Sequence, residues 1–234
     1  MTSKIPSTRR AGDVTSFLDR LSGVPVVKSA PERQHLIFAL DATASREPTW
    51  RSAQKIQGEM FDVASGLGGI EIQLCYYRGL DDFDASAWTA DTAELRRAMA
   101  GVGCVGGYTQ IARLLAHVAR ERKTRPVRAF LFVGDSVEEP VDELCHQAGL
   151  LALLGVRGFL FQEGRDPTAE RAFRQIAGIT GGAYAHFDAH SADRLRDLLG
   201  AVAAYVSGGL QALEDYGRQR GDSVLQLTRQ LQSR

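Results

Sequence analysis

Two apolar segments of the sequence, 36–40 and 131–134, are each followed directly by an aspartate, Asp41 and Asp135. The first aspartate opens the string Asp-Ala-Thr-Ala-Ser at 41–45, which places a carboxylate and two hydroxyl groups at alternate positions. Alternate side chains point the same way where the backbone is extended or tightly curled. These groups could therefore act together, as ligands of one small cation.

The oxygen atoms of this set are those that a hard cation prefers. Thr109 adds a hydroxyl group where a helix is predicted to begin after a glycine-rich loop. Three hydroxyls with one or two carboxylates suit Mg²⁺, with Mn²⁺ as a second candidate, because Mg²⁺ takes oxygen ligands octahedrally and keeps bound water. With few anionic ligands, the ion would keep much of its charge and could accept a carboxylate from outside. The predicted metal ligands are Asp41, Thr43, Ser45, Thr109 and Asp135.

Each of these residues also has a simpler interpretation. Asp41, Thr43 or Ser45 could cap the helix that follows, and for any one of them alone that interpretation is the better one. The metal hypothesis is preferred because groups of matching chemistry come from three different strand or helix ends. Glu138 and Glu139 are assigned to the acidic first turn of the next helix, which the helix dipole favours, and not to direct metal binding.

The patterns around these residues alternate between strand and helix. Alternation of this kind predicts an α/β fold with a doubly wound, mostly parallel open sheet that carries helices on both faces. In such sheets ligands bind at the carboxyl ends of the strands, which is where both aspartates fall. The predicted strands are 36–40, 70–77, 127–133, 157–161 and 183–187, with a short edge strand possible within 81–90, and the predicted helices are 48–65, 92–99, 109–123, 142–154, 168–180 and 192–213.

Three short motifs carry a family resemblance. The strings DATAS at 41–45, GGYTQI around Thr109 and FVGD ending at Asp135 resemble the metal-ion-dependent adhesion site (MIDAS) of von Willebrand factor A (VWA) domains. That site has the pattern Asp-x-Ser-x-Ser, then Thr, then Asp. Thr43 stands where the family usually has Ser, so the hydroxyl is kept and a methyl group is added.

The resemblance also covers the order of elements over residues 35–208, and the stretch 173–184 resembles the family's helix, glycine turn and last strand. It implies a Rossmann-like VWA fold, a metal site formed by the five residues above, and a protein partner that presents an Asp or Glu. Roles such as adaptor or recruiter, often alongside ATPase machines in bacteria, follow from the resemblance as expectations.

The chain is predicted to divide into a flexible arm at 1–34, a VWA domain at 35–208 and a helical extension at 209–234. In the extension, Val224, Leu227 and Leu231 could share one face of a helix. That face could pack back on the domain, or it could dock on a partner or a second copy of the chain.

Composition limits the classes of function. The 28 basic and 28 acidic residues balance, which gives no electrostatic reason to expect nucleic acid or an anionic membrane as a partner. Three cysteines without a CxxC pair predict reduced thiols. There is no run of eighteen apolar residues and no leader-like segment near the start, so a cytoplasmic protein is expected.

Three hypotheses about function remain. A metal-dependent interaction module without enzymatic activity is preferred. The first alternative is a scaffold without metal that assembles through its terminal extensions, which the Thr43 departure favours. The second is a hydrolase that uses the strand-end aspartates, but the sequence lacks an Asp-x-Asp pair after the first strand, a phosphate-binding Gly-Lys-Ser/Thr loop and a Gly-x-Ser-x-Gly elbow.

Overall fold

The computed structural model describes residues 33–47, 50, 70–187 and 192–232. Almost all of the predicted arm and the predicted helix 48–65, apart from Trp50, lie outside these residues. The described strands are β1 (Gln34–Asp41), β2 (Ile70–Arg78), β3 (Asp82–Ala85), β4 (Val127–Gly134), β5 (Arg157–Glu163) and β6 (Ala183–Phe187). The described helices are α1 (Thr92–Ala100), α2 (Ile111–Arg122), α3 (Val141–Leu153), α4 (Pro167–Ile179), α5 (Ala192–Arg220) and α6 (Asp222–Gln232).

The strands form a six-stranded sheet in the order β3-β2-β1-β4-β5-β6. All neighbouring pairs are parallel except β2 and β3, which pair antiparallel at one edge. The predicted doubly wound sheet and its short antiparallel edge strand are therefore confirmed. The chain leaves β1 toward β2 on one side and later returns to β4 on the other side. The carboxyl ends of β1 and β4 consequently flank the position where the winding direction reverses, the usual place for a ligand site.

The sheet is covered on both faces, and β1 shows why. Its residues are buried along nearly the whole strand, so successive apolar side chains enter different cores. Leu36, Phe38 and Leu40 join the core beneath α1, α5 and α6. Ile37 and Ala39 join the core beneath α2, α3 and α4. A continuous apolar run ending in a charged residue thus gives a central strand that brings Asp41 to the sheet edge.

The carboxyl-terminal part differs most from expectation. The last long helix was predicted to end near residue 213, but α5 continues to Arg220 with a break at Gly208 and Gly209. Beyond it, α6 packs back on the domain, and its apolar residues Val224, Leu227 and Leu231 are buried in the same core as β1. Of the two interpretations of that apolar face, the structure shows back-packing. Within the described parts of the chain, no helix is long and apolar enough to cross a membrane.

Candidate metal centre

The first loop of the candidate site begins at Asp41, the last residue of β1. Its side chain is completely buried, and both carboxylate oxygens are held. Oδ1 accepts a hydrogen bond from the backbone N–H of Thr43 at 2.8 Å, and Oδ2 accepts one from the hydroxyl of Tyr77 at 3.0 Å. Each carboxylate oxygen can accept twice, so both keep capacity for a further partner. The carboxylate is therefore fixed in orientation without being saturated.

The hydroxyl groups of Thr43 and Ser45 face each other, with their Oγ atoms 3.1 Å apart. Two ligands at neighbouring corners of an octahedron with Mg–O distances of 2.0–2.1 Å would lie about 3 Å apart. Thr43 is buried, whereas Ser45 is exposed in the short 3₁₀ turn Ala44–Arg46. The methyl group of Thr43 does not keep the two hydroxyls from this arrangement.

The second and third loops are joined by a reciprocal pair of hydrogen bonds. The backbone N–H of Thr109 donates to Oε2 of Glu138 at 2.9 Å, and the backbone N–H of Glu138 donates to the Thr109 hydroxyl at 3.0 Å. Thr109 is buried in the loop, two residues before α2 begins. Its hydroxyl keeps one lone pair and its proton. The pair holds the Thr109 loop against the loop that carries Asp135.

The assignment of Glu138 and Glu139 to the first turn of the next helix is wrong. That helix, α3, begins only after Pro140, and its first-turn acids are Asp142 and Glu143. Glu139 instead accepts hydrogen bonds from the backbone N–H groups of Ile111 at 2.8 Å and Ala112 at 2.7 Å. The physical reason is that α2 begins without a side-chain cap of its own, so free amide donors at its start are satisfied from the third loop.

Asp135 is half-buried directly after β4. Burial raises the pKa of Asp41, hydrogen bonds from Thr43 and the guanidinium of Arg46 lower it, and the charge of Asp135 raises it further. The two carboxylates are thus close enough to repel each other. A side chain at position 134 would collide with the Phe132 ring and lie 3.4 Å from the Cβ of Asp41, so glycine is needed between β4 and Asp135.

The five predicted ligands therefore come from three loops at one edge of the sheet. Hydrogen bonds link Asp41, Thr43 and Ser45 to one another. Thr109 is hydrogen-bonded to Glu138, which lies in the same loop after β4 as Asp135. Among the described residues, no three His, Cys, Asp or Glu side chains form a metal-binding group. Hydroxyl oxygens outnumber carboxylates in this donor set. It fits a hard divalent cation such as Mg²⁺, which would also relieve the repulsion between the two aspartates.

Sequence reasoning missed a buried ion pair at the base of the site. Arg46 follows Ser45 and is 1% exposed. Its Nη1 donates to the backbone carbonyl of Asp41 at 2.8 Å, while Nη2 and Nε donate to Oε2 of Glu163 at 2.8 and 3.0 Å. The guanidinium also lies 5.4 Å from the ring of Trp50. One signal in the sequence was Glu163 at the end of β5. It is a charged residue on a third strand that ends at the same edge of the sheet, so it could have been considered as a partner for Arg46.

Comparisons with known proteins agree on the fold. No family model and no curated protein matches the sequence. Among solved structures, a von Willebrand factor type A protein from Catenulispora acidiphila superposes with a TM-score of 0.62 at 18% identity, covering 76% of this chain and 43% of that one. The VWA domain of SpRpn10 superposes with a TM-score of 0.58 at 13% identity, covering 71% of this chain and 94% of that domain.

A third similar structure comes from a protein whose own metal site is occupied. Proximal thread matrix protein 1 from the mussel byssus, with a zinc-occupied MIDAS motif, superposes with a TM-score of 0.60 at 15% identity, covering 74% of this chain and 46% of that one. This chain thus spans less than half the length of the first and third of these proteins. The sheet order, the covered faces and these superpositions define an α/β protein of the doubly wound class. Within that class, the chain has the von Willebrand factor A fold, as its motifs led us to expect.

Proposed function

We propose that this chain is a metal-dependent protein-interaction module. Asp41, Thr43, Ser45, Thr109 and Asp135 would hold one divalent cation, Mg²⁺ or Mn²⁺, at the carboxyl edge of the sheet. When bound, the cation would supply an open coordination position for the carboxylate of an Asp or Glu on a partner protein. What supports this proposal is the position of these oxygen donors on three loops at one edge of the sheet, with Asp41 buried and held at both oxygens.

The chain's own residues would keep the donors in place before any partner arrives. Tyr77 and the Thr43 backbone orient Asp41, and the reciprocal bonds between Thr109 and Glu138 join two of the loops. Side chains held in this way lose little further freedom on binding, which favours affinity. A rigid donor set with an exposed hydroxyl at Ser45 is suited to presenting an ion at the surface.

An interaction module fits the geometry better than a hydrolase does. Asp41 is the strand-end carboxylate that would have to act as nucleophile or base, but it has no exposure to solvent. Its two hydrogen bonds hold the carboxylate below the surface, away from a large substrate. The sequence also lacks the Asp-x-Asp, Gly-Lys-Ser/Thr and Gly-x-Ser-x-Gly motifs of common hydrolases. An interaction module is therefore the better supported proposal.

We further propose that the module acts as an adaptor or recruiter in the bacterial cytoplasm. The support is the VWA fold, the balanced charge of 28 basic and 28 acidic residues, and thiols that form no disulfide. A carboxylate-binding site of this kind needs no substrate chemistry, only a partner with an accessible acidic residue. The metal-free scaffold remains the competing proposal, and cation dependence separates the two.

The test is thermal and urea unfolding of the full chain in EDTA, in Mg²⁺ and in Mn²⁺. A ligand that binds only the folded state stabilises it by about 2.7 kcal/mol at one hundred times its Kd. We expect a cation-dependent stabilisation of the wild type that is lost in Asp41→Asn and reduced in Ser45→Ala, which deletes only one hydroxyl. Asp84→Asn, an exposed aspartate on β3, is the matched control and should respond like the wild type. Equal curves in EDTA and in both cations would refute the metal site and favour the scaffold.

A further inference from the structure

Three large apolar side chains are exposed beside the candidate metal centre. Leu80 is 74% exposed in the turn between β2 and β3, and Val105 and Tyr108 are 47% and 63% exposed in the loop between α1 and α2. We call these three residues the apolar rim. Single exposed apolar residues are ordinary, but a group of them beside a polar site is characteristic of a binding surface.

The apolar rim is continuous with the residues that would hold the cation. The backbone N–H of Val105 donates to the carbonyl of Ala42 at 3.0 Å, and Val105 forms a parallel β-bridge with Thr43. Tyr108 directly precedes Thr109 in the chain. Two of the three rim residues are therefore tied by backbone to candidate ligands, and a partner that reaches the metal must pass close to them.

The backbone beneath the rim is held together tightly. Gly79 N–H donates to the Val105 carbonyl at 3.3 Å, and Tyr108 N–H donates to the Gly79 carbonyl at 3.2 Å. The two segments approach so closely that a Cβ at Gly107 would lie 1.8 Å from the carbonyl oxygen of Gly79. Only glycine allows this approach. Leu80 is thereby brought beside the other two rim residues on a fixed support.

Two arginine side chains donate hydrogen bonds to backbone carbonyls of the segments that carry the apolar rim. Arg78 donates to the carbonyl of Gly103 at 3.1 Å, and Arg113 donates to the carbonyl of Asp81 at 3.1 Å. The Asp81 side chain, next to Leu80, is 92% exposed and forms an ion pair with Arg113. A protein segment can bring a carboxylate to the metal centre and an apolar side chain to the rim at the same time.

We propose that the apolar rim receives a large aliphatic or aromatic side chain of the partner, close in sequence to the acidic residue that the metal centre takes. This inference rests on the proposed function and makes it more specific. The acidic residue would set the position of the partner, and the neighbouring apolar residue would select among acidic segments. The recognised unit is thus a short segment that pairs Asp or Glu with a large apolar residue a few positions away.

The test begins with a library of random peptides displayed on phage, panned on the full-length chain in Mg²⁺ and eluted with EDTA. We expect the eluted peptides to share an acidic residue and a large apolar residue at a preferred spacing. In fluorescence polarisation, a synthetic peptide from this set should bind on the order of tenfold more weakly when its apolar residue is replaced by alanine. Replacing its acidic residue by the amide should remove the Mg²⁺ dependence.

The same peptide is then measured on protein variants. Leu80→Ser and Tyr108→Ser should each weaken binding several-fold without shifting Mg²⁺-dependent thermal stability, because both side chains are exposed. Leu153→Ser is the matched control: Leu153 is 87% exposed near the end of α3, and the change should leave binding unchanged.

The outcomes separate the two proposals. EDTA-sensitive peptides that show only an acidic residue, or that bind Leu80→Ser and Tyr108→Ser as tightly as wild type, would overturn the apolar rim and leave the metal-dependent module standing. A library without EDTA-sensitive peptides would overturn both. The inference is supported if the eluted peptides share an acidic and an apolar residue. The apolar residue should then no longer strengthen binding to Leu80→Ser or Tyr108→Ser.

Discussion

The guanidinium group of Arg46 connects three strand ends beneath the candidate metal centre. It donates to the carbonyl of Asp41 at the end of β1, lies 3.4 Å from the carbonyl of Val133 in β4, and pairs with the carboxylate of Glu163 at the end of β5. The attraction between the two charges is largely offset by the free-energy cost of removing both from water. Its effect here is positional: it holds the first loop against two neighbouring strands.

Breaking this pair from one side should be costly. We expect Glu163→Gln and Arg46→Met each to lower the free energy of unfolding by about 3–5 kcal/mol, because each leaves a buried charged group without its partner. Urea unfolding at neutral pH in EDTA measures the effect without any contribution from bound cation.

The control is the exposed pair between Arg174 and Glu170 on α4, in which both side chains are about half exposed. Glu170→Gln should change stability by about 0–1 kcal/mol, as exposed ion pairs generally do. If Glu163→Gln were as mild as Glu170→Gln, the Arg46 pair would not hold the loop in the way described.

At the residue level, the sequence suggested candidate donors, which stay predictions, but not the contacts that hold them in place. Asp41, Thr43 and Ser45 could be grouped because they are close in the chain, and Asp135 could be added because it follows a buried strand. Glu163 could not be paired with Arg46, because 117 positions separate them and only the folded sheet brings β1 and β5 to the same edge. Tyr77 was assigned to a strand, but its hydroxyl bond to Asp41 depends on the register of β1 and β2.

Among the elements, α6 protects the outer edge of the sheet. Strand β6 has a neighbour only on the β5 side in the described sheet. The side-chain amide of Gln230 on α6 accepts from the Tyr184 N–H at 3.0 Å and donates to the Tyr184 carbonyl at 2.9 Å. It thereby satisfies groups that would otherwise be open to pairing with another strand. The helix α6 thus covers the exposed edge of β6.

The break in α5 depends on one backbone conformation. Gly209 has φ +70° and ψ −156°, a region that is essentially restricted to glycine. We expect Gly209→Ala to lower the free energy of unfolding by about 1–3 kcal/mol. Thermal or urea unfolding is the measurement.

For a second glycine within a helix, we expect substitution by alanine to raise the free energy of unfolding. Gly149 lies within α3, and a Cβ there would meet nothing within 4 Å. Gly149→Ala should therefore raise stability by roughly 0.5–1 kcal/mol, through lower entropy of the unfolded chain and better helix propensity. Equal effects of the two substitutions would show that the conformation at Gly209 is not required.

Strands and helices were predicted with good agreement where the pattern was strong. Continuous apolar runs identified β1 and β4, and alternation identified β2. The end of α5 was missed because residues 214–220 are mostly polar and give no apolar pattern to extend the helix. The break at Gly208 and Gly209 was also missed, because the predicted helix 192–213 runs through both glycines.

At the scale of the whole molecule, the described residues form two cores separated by one sheet. The helices α2, α3 and α4, which cover one face, were each predicted from a regular helical pattern, but their common layer was not. On the other face, α6 completes the helical layer. The sequence alone did not decide whether this segment packs on the domain or docks on a partner. The VWA fold was expected from the family resemblance of three motifs and of the order of elements, whereas the composition of this second layer followed only from tertiary contacts.

Whether α6 belongs to the folding unit is open to direct measurement. Leu227 is buried in the same core as β1, while Gln226, one position earlier on the same helix, is exposed. Because large buried side chains cost about 2–5 kcal/mol when truncated, Leu227→Ala should lower the free energy of unfolding by that amount. Gln226→Ala should stay within about 0.5 kcal/mol of wild type.

The same experiment distinguishes a packed helix from a docking helix. If α6 folds with the domain, urea unfolding of wild type will be a single transition, and the amides of α6 will exchange with solvent only on the same global unfolding. A helix that merely awaits a partner would exchange quickly, and Leu227→Ala would leave the midpoint unchanged. The burial of Val224, Leu227 and Leu231 and the bonds of Gln230 to Tyr184 predict the first result, because removing α6 would uncover one core and one sheet edge together.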